Sequence, residues 1–183
     1  SRGLGDVYKR QISYNAICTA VKLYKEKKVN AIVTAPISKH SLHLAKHFYD
    51  GHTGLIAKLF NIKNPYLLLS NKRFSTLHVT CHISLKEAIK SINKNKLLEV
   101  IMIGFKHMQA IGFKNPRIGV CAINPHSGEG GIFGDEEIKY FDPVIAMLKK
   151  NGLKIEGPIS SDIIFREAAI FGKYDLVIAN YHD

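Results

Sequence analysis

Cysteine is scarce in this 183-residue chain and acid is in short supply, and both shortages narrow what it can be. Cys18, Cys81 and Cys121 are odd in number, widely spaced and set among apolar residues. They read as buried, reduced thiols of a cytoplasmic protein, not as a disulfide framework or a zinc ribbon. No apolar run is long enough to span a membrane. The N-terminus carries Arg2 and Arg10 without the apolar stretch of a secretory signal between them. Arginine is sparse too, standing only at positions 2, 10, 73, 117 and 166, so lysine supplies most of the 26 basic residues set against 15 acids. The net charge of +11 therefore lacks the arginine–aromatic clusters that read bases and fork onto phosphates. A lysine-rich surface accounts for it without a nucleic-acid partner. The same field suits a phosphorylated or carboxylated small substrate.

What is present is an alternation of helix and strand signals over a 46% hydrophobic chain, which predicts an α/β fold with a mostly parallel sheet covered on both faces. Helices are expected over 14–27, 41–47, 55–60, 84–91, 97–111 and 162–171. A short helix should start at Asp135-Glu136-Glu137, and Asp142-Pro143 should break it and open another. Strands are expected at 31–34, 66–69, 76–80, 118–123 and 176–179, with Gly157-Pro158 as a turn. Ser84 and Glu87 form a capping box. Ser1–Gln11 lacks clear periodicity and reads as a leader foreign to the fold, leaving 12–183 as its body.

Three strand-like runs end in a histidine: Thr76–His82, Arg117–His126 and Asp175–Asp183. The C-terminal edge of a parallel sheet gathers such ends, so His82, His126 and His182 could close on one divalent metal through neutral imidazoles. Each could equally be a satisfied structural residue. His78 precedes His82 by four positions, and an extended strand would hold the two about 13 Å apart. His40, His43 and His47 have helical spacing but no accompanying carboxylate, and read as a solvated face. His107 lies within a long helix and needs no function.

The loop Asn124–Gly131 is rich in glycine and follows a strand. It fails the dinucleotide fingerprint at Phe133 and has no P-loop lysine. His52 and Thr53 open a helix, where amide N–H groups attract a phosphate or carboxylate and Thr53 could instead serve as a cap. Asp162 is either a helix cap or a general base. Asp183 either orients His182 or binds substrate.

Several segments together resemble the 4-hydroxythreonine-4-phosphate dehydrogenase family, including its D-threonate and D-erythronate 4-phosphate branch. They are Val33–Lys39, Gly51-His52-Thr53, His78–His82, Asn124–Gly131, Gly157-Pro158 with Asp162, and Tyr181-His182-Asp183. They fall in family order and cover nearly everything after Tyr14. The resemblance implies an isocitrate/isopropylmalate-dehydrogenase-like α/β/α sandwich and a homodimer whose active site is shared between subunits. It implies metal ligation by His82, His126 and His182, drawn from both subunits, and substrate binding by His52 and Thr53. It also implies use of NAD or NADP without a conventional glycine fingerprint.

The expected reaction is metal-dependent, NAD(P)-linked oxidation and decarboxylation of a phosphorylated four-carbon hydroxy acid. The substrate would be D-threonate or D-erythronate 4-phosphate, or 4-hydroxy-L-threonine phosphate of pyridoxine biosynthesis. The wording around His82 leans to the first pair. Zinc, cobalt, nickel, manganese or magnesium would suit the site. A metal-dependent hydrolase or lyase on the same histidines, and a basic nucleic-acid-binding domain, are the competing readings. The chain departs from the family in having Gly54 where a glutamate is usual. It also lacks the family's N-terminal strand and everything beyond Asp183, so as a fragment it is expected to be inactive.

Overall fold

A computed structural model describes residues 4–36 and 51–182. The chain forms two compact units, Ser1–Pro65 and Tyr66–Asp183. The first contains helices α1 (Leu4–Lys25) and α2 (His52–Leu59). Helix α1 begins well before Tyr14 and takes in the described part of the segment set apart as a leader. Ile17 and Val21, one turn apart on α1, bury against Leu55 of α2. Lys25 Nζ reaches the Leu59 carbonyl at 2.7 Å. The strand expected at 31–34 is absent and Val33 is almost fully exposed, because no partner among the described residues takes its backbone hydrogen bonds. The helix expected at 41–47, with His40, His43 and His47, lies outside the described residues.

The second unit is a five-stranded sheet. Its strands are β1 (Leu68–Ser70), β2 (Ser75–His78), β3 (Ile118–Cys121), β4 (Ile155–Ile159) and β5 (Leu176–Ala179). The order is β1-β2-β5-β3-β4, and only edge strand β1 is antiparallel. Helices α3 (Leu85–Ser91), α4 (Lys94–Ala110), α5 (Asp142–Lys150) and α6 (Ser161–Phe171) complete it.

The period of two along a strand sorts side chains between two layers. Ile118 and Val120 of β3 and Leu176 and Ile178 of β5 join Val100 and Ile101 of α4 and Val144 and Leu148 of α5. Cys121, Val177 and Ala179 face the other way, onto Ile164 and Ala168 of α6. Helices thus cover both faces, as expected of the α/β/α arrangement. Gly119 lets α6 approach, since a Cβ there would lie 2.6 Å from Ile164 Cδ1.

Two local expectations fail. Gly157-Pro158 is not a turn: its peptide is cis and lies inside β4, an edge strand, where a missing N–H is tolerated. Asp142-Pro143 opens α5 as expected, but it does not break the chain before it. A π-helical turn, Glu137–Phe141, runs straight into α5, and proline in the first turn of α5 lacks only an N–H that a helix start leaves free. The capping box on α3 is present, with Ser84 Oγ accepting from Glu87 N and the Glu87 carboxylate accepting from Ser84 N.

Candidate functional site

Strands β2, β5 and β3 lie side by side and point the same way, so their C-terminal ends deliver His82, His182 and His126 to one edge. β2 stops at His78 and the chain bends through Val79 and Thr80; His82 then takes a left-handed backbone, φ 53°. The pleated spacing of about 13 Å expected between His78 and His82 therefore does not hold. Both rings pack edge-on against one partner, His182, at centroid distances of 5.1 and 5.7 Å. His78 is buried, and its Nδ1 lies 3.1 Å from the Leu67 carbonyl. Burial, with His182 nearby, holds its imidazole below the ordinary histidine pKa against the raising effect of that carbonyl.

The glycine loop is a left-handed turn. His126, Ser127, Gly128, Glu129 and Gly130 take φ of 51°, 54°, 79°, 44° and 64° in succession. Left-handed helical backbone costs L-residues about 1–2 kcal/mol each, so three non-glycine residues in such a run need support from their surroundings. Glu137 provides it. This carboxylate is buried, and it accepts from Ile123 N at 2.9 Å and from Asn124 N and Asn124 Nδ2 at 2.8 Å. Glu136 takes the other Asn124 Nδ2 proton at 2.7 Å. Ser127 Oγ donates to the Pro158 carbonyl at 3.3 Å, fastening the turn to β4. Gly128 packs so tightly that a Cβ would lie 2.7 Å from the Gly134 carbonyl.

Two cavities open at this edge, and Tyr181 borders both. The larger, about 590 Å³, is lined by Asn124, His126, Ser160, Asp162, Asn180 and Tyr181. The smaller, about 310 Å³, is lined by Thr80, His82, Tyr181 and His182. Asp162 sits in the first turn of α6, whose cap residue Ser160 makes no side-chain capping bond. The carboxylate thus shares the larger cavity with His126. Asp183 lies outside the described residues.

In the first unit, His52 opens α2 after Gly51, whose φ of 105° turns the chain into the helix. His52 Nε2 is buried with no hydrogen-bond partner. Thr53 is exposed and caps nothing, because the cap position falls on Gly51.

The metal expectation meets a mixed geometry. Two imidazoles on one tetrahedral ion, each bound at about 2 Å, place their ring centres roughly 5 Å apart. Both the His82–His182 contact at 5.7 Å and the His78–His182 contact at 5.1 Å lie near that spacing, so ring separation alone does not single out one pair of donors. His126 instead packs its ring beside Phe133 at 6.1 Å, and among the described residues no three His, Cys, Asp or Glu side chains converge on one point. Of the three histidines, His82 and His182 meet ring to ring, whereas His126 lies against Phe133.

Sequence reasoning named Asn124 only as the start of the glycine loop and Glu137 only as a helix-start acid, without the bonds between them, and it missed Asn180 and the ring contact of His78. Asn180 is buried directly after an all-apolar strand, and that abrupt polar residue is the signal that could have drawn attention to it.

A doubly covered, mostly parallel sheet with histidines and an acid at its C-terminal edge defines an α/β protein with its candidate site where such folds bind small ligands. Within that class the chain belongs to the family described as pyridoxal phosphate biosynthetic protein PdxA, whose model matches residues 3–183. It is 39% identical to a D-threonate 4-phosphate dehydrogenase of Pectobacterium atrosepticum, over 94% of this chain and 52% of that protein. It is also 39% identical to a 4-hydroxythreonine-4-phosphate dehydrogenase of Beijerinckia indica, over 94% and 51%. The crystal structure of 4-hydroxythreonine-4-phosphate dehydrogenase from Klebsiella pneumoniae superposes with a TM-score of 0.85 at 37% identity, covering 95% of this chain and 52% of that one. The chain spans about half the length of the curated relatives it matches.

Proposed function

We propose that the full-length protein is an NAD(P)-linked dehydrogenase. It would oxidise the secondary alcohol of a phosphorylated four-carbon hydroxy acid and release carbon dioxide from the resulting β-keto acid. The observation that carries this reading is the sheet edge, where the paired His82 and His182 border one cavity and the strained His126 turn and Asp162 border the other. Relatives named for D-threonate 4-phosphate and for 4-hydroxythreonine-4-phosphate stand at equal identity, so both substrates remain in the proposal. The wording around His82 favours D-threonate or D-erythronate 4-phosphate.

His82 and His182 would hold a divalent ion from one subunit, and His126 of a second copy would complete it. This division accommodates the separation of His126 from the other two and calls for a homodimer with shared sites. A bound divalent ion supplies Lewis acidity to the alcohol and carboxylate oxygens. Asp162 would accept the hydroxyl proton as the C–H hydride passes to NAD(P)⁺. His52 and Thr53, at the start of α2, would bind the substrate phosphate with the help of helix amides. Asp183 would orient His182 or bind substrate. The free thiols of Cys18, Cys81 and Cys121 suit a cytoplasmic setting, and among the described residues no helix is long and apolar enough to cross a membrane.

The test is NAD(P)⁺ reduction by the full-length protein with D-threonate, D-erythronate and 4-hydroxythreonine phosphates side by side, before and after chelation. Reduction with one of them, lost on chelation and restored by metal, is expected. Metal-dependent turnover without nicotinamide reduction would instead make the site that of a hydrolase or lyase.

A further inference from the structure

The backbone ladder that aligns the strands stops short of the histidines. Between β5 and β2 the last rung is Val79 N to the Ala179 carbonyl at 2.8 Å, and between β5 and β3 the register ends at Val120 opposite Ile178. Beyond those rungs two side chains continue the connection, one on each side of β5. Thr80 Oγ1 donates to the Asn180 carbonyl at 2.8 Å, and Asn180 Nδ2 donates to the Cys121 carbonyl at 3.0 Å. Both side chains are buried, Thr80 at 5% exposure and Asn180 at 3%. His82 follows Thr80 by two residues and His182 follows Asn180 by two, so the clamp sits at the root of both.

We propose that Asn180, with Thr80, is a positioning residue: it fixes the ends of β2, β5 and β3 relative to one another and thereby sets the His82–His182 pair. The chemistry of the position supports this over a packing role. Asn180 Oδ1 is buried with no hydrogen-bond partner, so as core filling the amide is inferior to a leucine of similar size. What leucine cannot supply is the N–H that holds the Cys121 carbonyl where the ladder has ended. Outer groups that orient ligands govern metal affinity without touching the metal. The inference rests on His82 and His182 being site residues.

The test compares wild-type full-length protein with Asn180→Leu, Thr80→Val and Thr80→Ser, using imidazole ¹H–¹⁵N spectra of the metal-free protein and titration with Co²⁺. Asn180→Leu and Thr80→Val should move the His82 and His182 resonances and leave His107, in α4, unmoved. Both should weaken Co²⁺ binding by about tenfold or more. Thr80→Ser keeps the hydroxyl and should match the wild type. If Asn180→Leu does not fold, Thr80→Val, which removes a single hydroxyl, carries the same test. A folded variant with unmoved His82 and His182 resonances would overturn the clamp. Moved resonances in a protein whose wild type binds no Co²⁺ would uphold the clamp and sink the metal reading.

Discussion

His82 and His126 leave different strands, yet both adopt the same left-handed backbone, with φ of 53° and 51°. Both residues are exposed, so neither conformation is held by burial in the core. Replacing either by glycine relieves the strain while loosening the unfolded chain. Stability should stay level or rise by up to about 1 kcal/mol, and the NAD(P)⁺ reduction proposed for the full-length protein should vanish. Denaturant unfolding and turnover measured on His82→Gly and His126→Gly check this. A loss of stability well beyond 1 kcal/mol would mean that these histidines hold the fold together.

Glu137 should be the most sensitive position of the His126 turn, because one buried carboxylate accepts three hydrogen bonds there. Glu137→Ala leaves two backbone N–H groups and one of the two Asn124 Nδ2 protons without their acceptor and should cost about 3 kcal/mol or more. Glu137→Gln keeps one acceptor oxygen and should cost about half as much. Equal, small losses in urea unfolding would remove Glu137 from the account.

Much of this fold could be read from the chain because local and global signals agree. Leu176–Ala179 is a run of four apolar residues bounded by Asp175 and Asn180, and it is buried on both faces as a central parallel strand must be. Ser84 and Glu87 announce α3. The failures share a cause: tertiary contacts overrule local chemistry. Gly157-Pro158 spells a turn, but pairing of Ile155 and Ile159 with β3 carries β4 through it. The glycines at 128, 130 and 131 mark an unusual loop, yet nothing local says that His126, Ser127 and Glu129 would share its left-handed path. The three histidines were legible as a set at one edge. That only two would meet within the chain was not, because it depends on where each strand stops.

The Arg117–Asp175 pair predicts a pH dependence. Burial pushes the Asp175 carboxyl up, but Arg117 outweighs it, donating from its guanidinium at 2.6 and 3.0 Å and from its backbone N–H at 2.8 Å, and the net pKa is lowered. A carboxylate with a depressed folded pKa contributes stability above its unfolded value, and that contribution fades as pH falls through the folded one. Asp175→Asn should therefore be less stable than wild type at pH 7, with the gap narrowing below about pH 4. A gap that stays constant from pH 7 to pH 3 would contradict the assignment.

Cys121 should be silent toward thiol reagents in the native protein. Burial pushes its thiol up to about 12, leaving almost no thiolate at neutral pH. Alkylation followed by peptide mapping should modify Cys121 only after unfolding. Rapid labelling of Cys121 under native conditions would mean that the β3 end opens readily.

The most direct test of the proposed shared site mixes two inactive proteins. His126→Ala and His182→Ala variants of the full-length enzyme should each fail to reduce NAD(P)⁺. After exchange of subunits, a mixed dimer restores one complete site from His82 and His182 of one chain and His126 of the other. With random pairing in a twofold dimer, about a quarter of wild-type turnover should return. A wild-type enzyme that is active while the exchanged mixture stays dead would contradict a site divided between His126 and His182.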